Sequence, residues 1–217
     1  MSRKLLITSG CSWTAGSSRM NQKYVWPIFL AKKLDMDCVN VGKGGVGNEY
    51  IYNRIIDKLC TTKRIGLAIC LWTDFDRWDI YSSTFQLQPK FRHGELFNLE
   101  KSIRWIHAFQ NHCQLKDIPF LQMQSLPPTE DVAPSAGASV YMKGLLKTAQ
   151  FDLIDRKKFV GWPMYRELGG STIWDKLDEV DPDWIKLRVS KEDLHPNDKG
   201  HEYIAEILYD AYKKIYL

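Results

Sequence analysis

The sequence predicts an α/β protein: a mainly parallel sheet of about five strands with helices on both faces. Three observations carry this expectation. Short apolar runs alternate along the chain with segments whose apolar residues recur at helical spacing. The run Gly66–Trp72 (GLAICLW) is almost continuously apolar, as a strand buried on both faces must be. The chain has 217 residues, of which 44% are hydrophobic and 26% charged, enough for one globular domain with a sizeable core.

Taken in order, Lys4–Thr8 predicts a short buried strand. Trp26, Phe29, Leu30 and Leu34 mark a helix, Cys38–Val41 a second strand, and Gly42–Gly47 a glycine loop. Ile51, Ile55 and Leu59 mark the next helix, followed by the central strand Gly66–Trp72. Leu99, Ile103, Ile106 and Cys113 place a helix over Asn98–Cys113, and Ile118–Met123 reads as a fourth strand. Ile204, Ile207, Leu208, Ala211 and Ile215 form one face of a last helix, with Asn197 or Asp198 as its N-cap. The stretch from about 125 to 183 breaks the rhythm. It carries Pro127-Pro128, the small residues Ala133–Ser139 and the aromatic-rich run Phe159–Tyr165, and reads as an insertion near the carboxyl edge of the sheet, a wall or lid for a site. No linker or repeat divides the chain, so residues 1–217 are expected to form a single domain.

Composition narrows the function classes. A net charge of +4, evenly spread, argues against nucleic acid as a partner, and Lys32-Lys33 reads as a solvated helix face. Five scattered cysteines with no Cys-x-x-Cys pair argue against a disulfide framework or structural zinc. Arg3-Lys4 before Leu5-Leu6-Ile7 and Cys11 imitates a lipoprotein signal, but the apolar run is too short, and no stretch approaches the ~20 apolar residues of a membrane span. A cytoplasmic protein without membrane association, metal or cofactor is expected. The glycine loop Gly42-Lys43-Gly44-Gly45-Val46-Gly47 imitates a phosphate-binding loop, yet Asn48-Glu49 stand where Lys-Thr or Lys-Ser would follow, which argues against nucleotide hydrolysis.

The chemistry gathers at the ends of strands. In open α/β sheets, ligands bind beyond the carboxyl ends of the strands. Ser12 follows the first strand on a Gly-rich turn, Gly45 the second and Asp74 the third, while His195 precedes the last helix. A serine is a weak nucleophile at its free pKa and needs a base within hydrogen-bond reach. A histidine titrates near neutrality and can serve, with an acid behind it to hold its tautomer. Glu192 and Asp193 both precede His195 closely enough to be that acid. Cys11 reads as a small buried residue, His201 as a surface or capping residue, and His93, His107 and His112 as surface or helix-face residues.

These segments resemble the four blocks of the SGNH (GDSL-type) hydrolase family. Gly10-Cys11-Ser12 is similar to the Gly-Asp-Ser turn that carries the nucleophile, with cysteine in place of aspartate. The Gly-Cys-Ser-Trp/Phe-Thr variant also resembles SGNH-type proteins of bacteria and marine phages. Asn40–Gly45 resembles the second block and points to Gly45 as an oxyanion-hole N–H. Trp72-Thr73-Asp74 takes the place of Gly-x-Asn, so Asp74 stands where the family has an asparagine donor. Glu192-Asp193-Leu194-His195 is similar to Asp-x-x-His, a spacing that favours Glu192 as the acid, with Asp193 one step nearer. The resemblance implies a flavodoxin-like fold and a cofactor-free serine esterase or acyl hydrolase acting on small-molecule or carbohydrate esters, carbohydrate O-deacetylation among them. The departure at Asp74 supports an alternative: a catalytically silent SGNH-like module that binds glycan or protein, as a phage component.

Overall fold

The computed structural model describes residues 3–16, 22–79, 95–128 and 136–217. His93 and Ala133-Pro134-Ser135 lie outside them. Among the described residues, five parallel strands form one sheet in the order β2-β1-β3-β4-β5. They are β1 (Leu5–Gly10), β2 (Asp37–Asn40), β3 (Ile65–Trp72), β4 (Phe120–Gln124) and β5 (Phe159–Val160). The helices are α1 (Ser12–Ala15), α2 (Trp26–Lys33), α3 (Asn48–Thr61), α4 (Glu95–Leu115), α5 (Ala136–Leu145), α6 (Ile173–Val180) and α7 (Asp198–Tyr216). α2 packs on α7, which also meets α6; α3 packs on α4, and α4 on α5. These two helical groups sandwich the sheet, the flavodoxin-like arrangement.

The apolar periodicities explain the packing. Trp26 and Leu30 of α2, Ile51, Ile55 and Leu59 of α3, and Leu99, Ile103, Ile106, Phe109 and Cys113 of α4 are all buried against the sheet. Fully burying a side chain of this kind stabilises the fold by roughly 1.5–3 kcal/mol. Asn197 is the N-cap of α7, its Oδ1 accepting the Gly200 N–H at 3.0 Å. A Cβ at Gly200 would lie 2.2 Å from the Leu187 carbonyl oxygen, so only glycine lets α7 start this close to the preceding loop. Among the described residues, no helix is long and apolar enough to cross a membrane.

Two strands run on past their expected ends for the same reason. β1 runs on to Gly10 and β4 to Gln124 because polar side chains inside the sheet find partners. Ser9 Oγ donates to the Ile51 carbonyl at 2.9 Å, Gln122 Oε1 accepts Trp72 Nε1–H at 3.0 Å, and Gln124 Nε2 donates to the Thr73 carbonyl at 2.8 Å. The stretch from 125 to 183 is more than an inserted wall. It supplies α5, α6 and the edge strand β5, whose Phe159 and Val160 pair in parallel with Gln122 and Met123. A strand of two residues is too short to leave a periodicity in the sequence.

Candidate active site

The topology reverses between β1 and β3, so a crevice opens at their carboxyl ends. Ser12 is placed there by a tight strand-to-helix turn. The N–H groups of Thr14 and Ala15 both donate to the Cys11 carbonyl, at 2.9 and 3.0 Å, and Gly16 N–H donates to the Ser12 carbonyl at 2.9 Å. Gly10 permits the turn, because a Cβ there would fall 2.1 Å from Thr14 Oγ1 and 3.0 Å from the Leu71 carbonyl oxygen. Cys11 is fully buried, its Sγ 3.7 Å from Ser125 Oγ. Ser12 itself is half-buried.

His195 meets Ser12 from a loop just before α7. Its Nε2 lies 2.8 Å from Ser12 Oγ, and its Nδ1 2.6 Å from Asp193 Oδ1. If Ser12 donates to Nε2, the ring proton sits on Nδ1 and is donated to the carboxylate. The side chains of His195 and Asp193 are 35% and 20% exposed, so the base is open to solvent and substrate while its acid is largely shielded.

The acid favoured by family spacing was Glu192; the structure pairs His195 with Asp193 instead. Ser190 is the cause. Its Oγ accepts the N–H groups of Glu192 and Asp193, at 3.2 and 3.0 Å, and its own N–H donates to the Asp193 carbonyl at 3.1 Å. This turn curls Asp193 back so that its Oδ1 also accepts the His195 N–H at 3.2 Å, an Asx-turn. Glu192 is left exposed, its carboxyl held below the usual range by a hydrogen bond with Ser190. The histidine loop is pinned from behind: Arg188 pairs with Pro196 in an antiparallel bridge, and Val189 N–H donates to the His195 carbonyl at 2.9 Å.

The glycine loop lies alongside the nucleophile. Lys43 N–H donates to the Gly10 carbonyl at 3.0 Å, and a Cβ at Gly44 would sit 3.8 Å from Ser12 Cβ. Gly45 adopts a left-handed backbone, φ +74°, at the turn into α3. Asp79 and Asn48 hold this region. Asp79 accepts Gly47 N–H and Tyr50 N–H, both at 2.7 Å, and so caps α3 from outside it. Asn48 Oδ1 accepts Thr73 N–H at 2.9 Å, and its Nδ2 donates to the Thr73 carbonyl at 3.1 Å, tying the start of α3 to the loop after β3. Asn48 shows in the sequence only as a polar residue at a helix start, and Asp79 carries no local signal because the helix start it caps lies far from it along the chain.

Asp74, the residue after Thr73, is fully buried. Its Oδ1 accepts the Asp76 N–H at 2.9 Å, so one carboxylate oxygen organises its own loop. His201 also departs from expectation. Rather than lying at the surface, it is fully buried, with Nδ1 accepting the Trp26 N–H at 3.3 Å. Burial, with the nearby His195, lowers its pKa to about 3, so it is neutral at pH 7. His107 and His112 lie on α4. Among the described residues, no group of three or more His, Cys, Asp or Glu side chains is placed to hold a metal ion.

No family model and no curated protein matches the sequence. Solved structures do match. A protein from Desulfitobacterium hafniense DCB-2 assigned to the lipolytic G-D-S-L family is 16% identical, with a TM-score of 0.60 over 96% of this chain and 99% of its own. The psychrotrophic esterase EstA from Pseudoalteromonas sp. is 15% identical, with a TM-score of 0.58 over 97% of each chain. A family 2 carbohydrate esterase with a carbohydrate-binding domain, from Corynascus thermopiles (Myceliophthora fergusii), is 13% identical, with a TM-score of 0.54 over 97% of this chain and 66% of its own. The chain therefore has the α/β fold of these GDSL-type, or SGNH, hydrolase neighbours.

Proposed function

We propose that the chain is a serine hydrolase of SGNH type that cleaves esters, with Ser12 as nucleophile, His195 as general base and Asp193 as the acid that orients it. The observation that carries this is the continuous array Asp193–His195–Ser12, with contacts of 2.6 and 2.8 Å, at the crevice between β1 and β3. Ser12 Oγ attacks the ester carbonyl while His195 Nε2 takes its proton. Asp193 remains ionised and stabilises the imidazolium. The imidazolium then protonates the leaving alkoxide as the tetrahedral intermediate collapses to an acyl-serine. Water, deprotonated by the same imidazole, releases the acid and restores Ser12. The main-chain N–H groups of Ser12 and Gly45 are the proposed oxyanion donors. The approach of the glycine loop to Ser12 supports that assignment, and removing a donor of this kind typically costs roughly 2.7–4 kcal/mol of transition-state stabilisation.

An acetyl ester on a carbohydrate is the proposed substrate class. Support comes from the carbohydrate esterase among the fold neighbours, alongside the family resemblance. The test is a substrate series. Turnover should be highest for p-nitrophenyl acetate and acetylated oligosaccharides and fall as the acyl chain lengthens. A preference for long acyl chains would move the assignment to lipid esters. The buried carboxylate of Asp74 favours a second reading, a silent glycan- or protein-binding module, because a carboxylate only accepts hydrogen bonds while ionised. Absence of turnover on every ester, with glycan binding retained, would select it.

A further inference from the structure

The hydrolase reading leaves the buried charge of Arg188 without a role. The Arg188 side chain is completely shielded from solvent, and its guanidinium lies against two indoles, 5.0 Å from the centre of Trp13 and 4.4 Å from that of Trp174. The two rings stack on each other with centroids 5.7 Å apart. Nη2 donates to Asp178 Oδ1 at 2.9 Å, and Nη1 donates to the Leu194 carbonyl at 3.0 Å. Burying a charge costs several kcal/mol even when it is paired, and an apolar side chain of similar volume would pack here without that penalty. A position filled in this way calls for a task that an apolar side chain cannot perform.

The partners indicate the task. Trp13 directly follows Ser12 on α1, and Leu194 lies between Asp193 and His195. Trp174 and Asp178 belong to α6, which packs on α7 and is fastened at its start by a capping box between Thr172 and Asp175. One guanidinium thus lies over a ring of the nucleophile turn, donates to the acid–base turn and is anchored to a third element. Resting on the hydrolase reading, we propose that Arg188 is a positioning residue: it holds the Ser12 turn and the Asp193–His195 turn in the mutual register that keeps Ser12 Oγ in contact with His195 Nε2. Displacement by ~1 Å at such a contact can cost on the order of a hundredfold in rate. Lysine cannot replace the guanidinium here. An ammonium is a compact point donor and cannot lie against both rings while reaching Asp178 and Leu194.

The test compares the wild type with Arg188→Met and Arg188→Lys, each checked by near-ultraviolet circular dichroism and a cooperative melt. Two readouts are taken: kcat and KM on p-nitrophenyl acetate, and the imidazole N–H resonance of His195 in proton NMR, assigned with His195→Ala. Arg188→Met should lower kcat roughly ten- to a hundredfold with KM within about twofold, the split expected when geometry rather than binding is lost. The His195 resonance should broaden or vanish. Arg188→Lys should show the same pattern with a smaller fall of at least about threefold, and it decides the matter alone if Arg188→Met does not fold. A folded variant with wild-type kcat and a sharp resonance would overturn the assignment while leaving the hydrolase reading intact. A wild type inert toward every ester, whose resonance still vanishes in the variants, would leave Arg188 in its role and remove the hydrolase reading.

Discussion

Replacing Asp193 should cripple turnover, and replacing Glu192 should not. The structure sets the magnitudes. Asp193 Oδ1 is 2.6 Å from His195 Nδ1 and is mostly shielded, so it makes a short, charge-assisted hydrogen bond. Such bonds contribute about 1.5–3 kcal/mol, and the upper figure corresponds to roughly a hundredfold in rate. Asp193→Ala should therefore lower kcat by about one to two orders of magnitude, because water can partly replace the carboxylate in a site that is not fully closed. Asp193→Asn should be worse, approaching ~10⁴-fold, if its amide donates to Nδ1 and forces the ring proton onto Nε2, where it blocks acceptance from Ser12. Glu192 is exposed and held by Ser190, so Glu192→Ala should stay within about twofold. The assay is kcat/KM on p-nitrophenyl acetate across roughly pH 5–9, with circular dichroism to confirm folding. A large loss on Glu192→Ala, or none on Asp193→Ala, would remove Asp193 from the role of orienting acid.

Asp74→Asn should raise kcat/KM, since asparagine keeps the oxygen that accepts the Asp76 N–H and adds an amide donor. One restored oxyanion donor sets the ceiling at on the order of a hundredfold, and an unchanged or lower rate at every pH would assign Asp74 to loop structure alone. His201 gives the fold a pH dependence. Its folded pKa of about 3 lies below the ordinary 6.5, so the unfolded chain takes up a proton that the folded one refuses. Stability should then be fully present above about pH 6.5 and decline as pH falls toward 3, at up to about 1.4 kcal/mol per pH unit. His201→Asn, whose side-chain oxygen can accept the Trp26 N–H, should flatten that decline in melting temperature. An equally steep fall in the variant would place the effect elsewhere.

The fold was legible wherever burial imposes a period. GLAICLW became the central strand, and the apolar faces of α3, α4 and α7 lie where their spacing places them. The edge strand β5 was not legible, because two residues carry no period. The site was legible in its residue types, since Ser12 and His195 each sit at a strand end or helix start. The choice between Glu192 and Asp193 was not, because it depends on how Ser190 bends the turn. His201 was misplaced because it opens a helix with polar neighbours, yet it turns inward against Trp26. Arg188 carried no signal because its place depends on Trp13, at the far end of the chain, folding back against Trp174.

Ser12, activated by His195, is the proposed nucleophile. Treatment with a fluorophosphonate probe, followed by peptide mass analysis, tests it without knowledge of the substrate. A single adduct is expected on Ser12, absent in Ser12→Ala and formed much more slowly in His195→Ala. Labelling that persists in Ser12→Ala, or a folded wild type that takes up no probe, would contradict it.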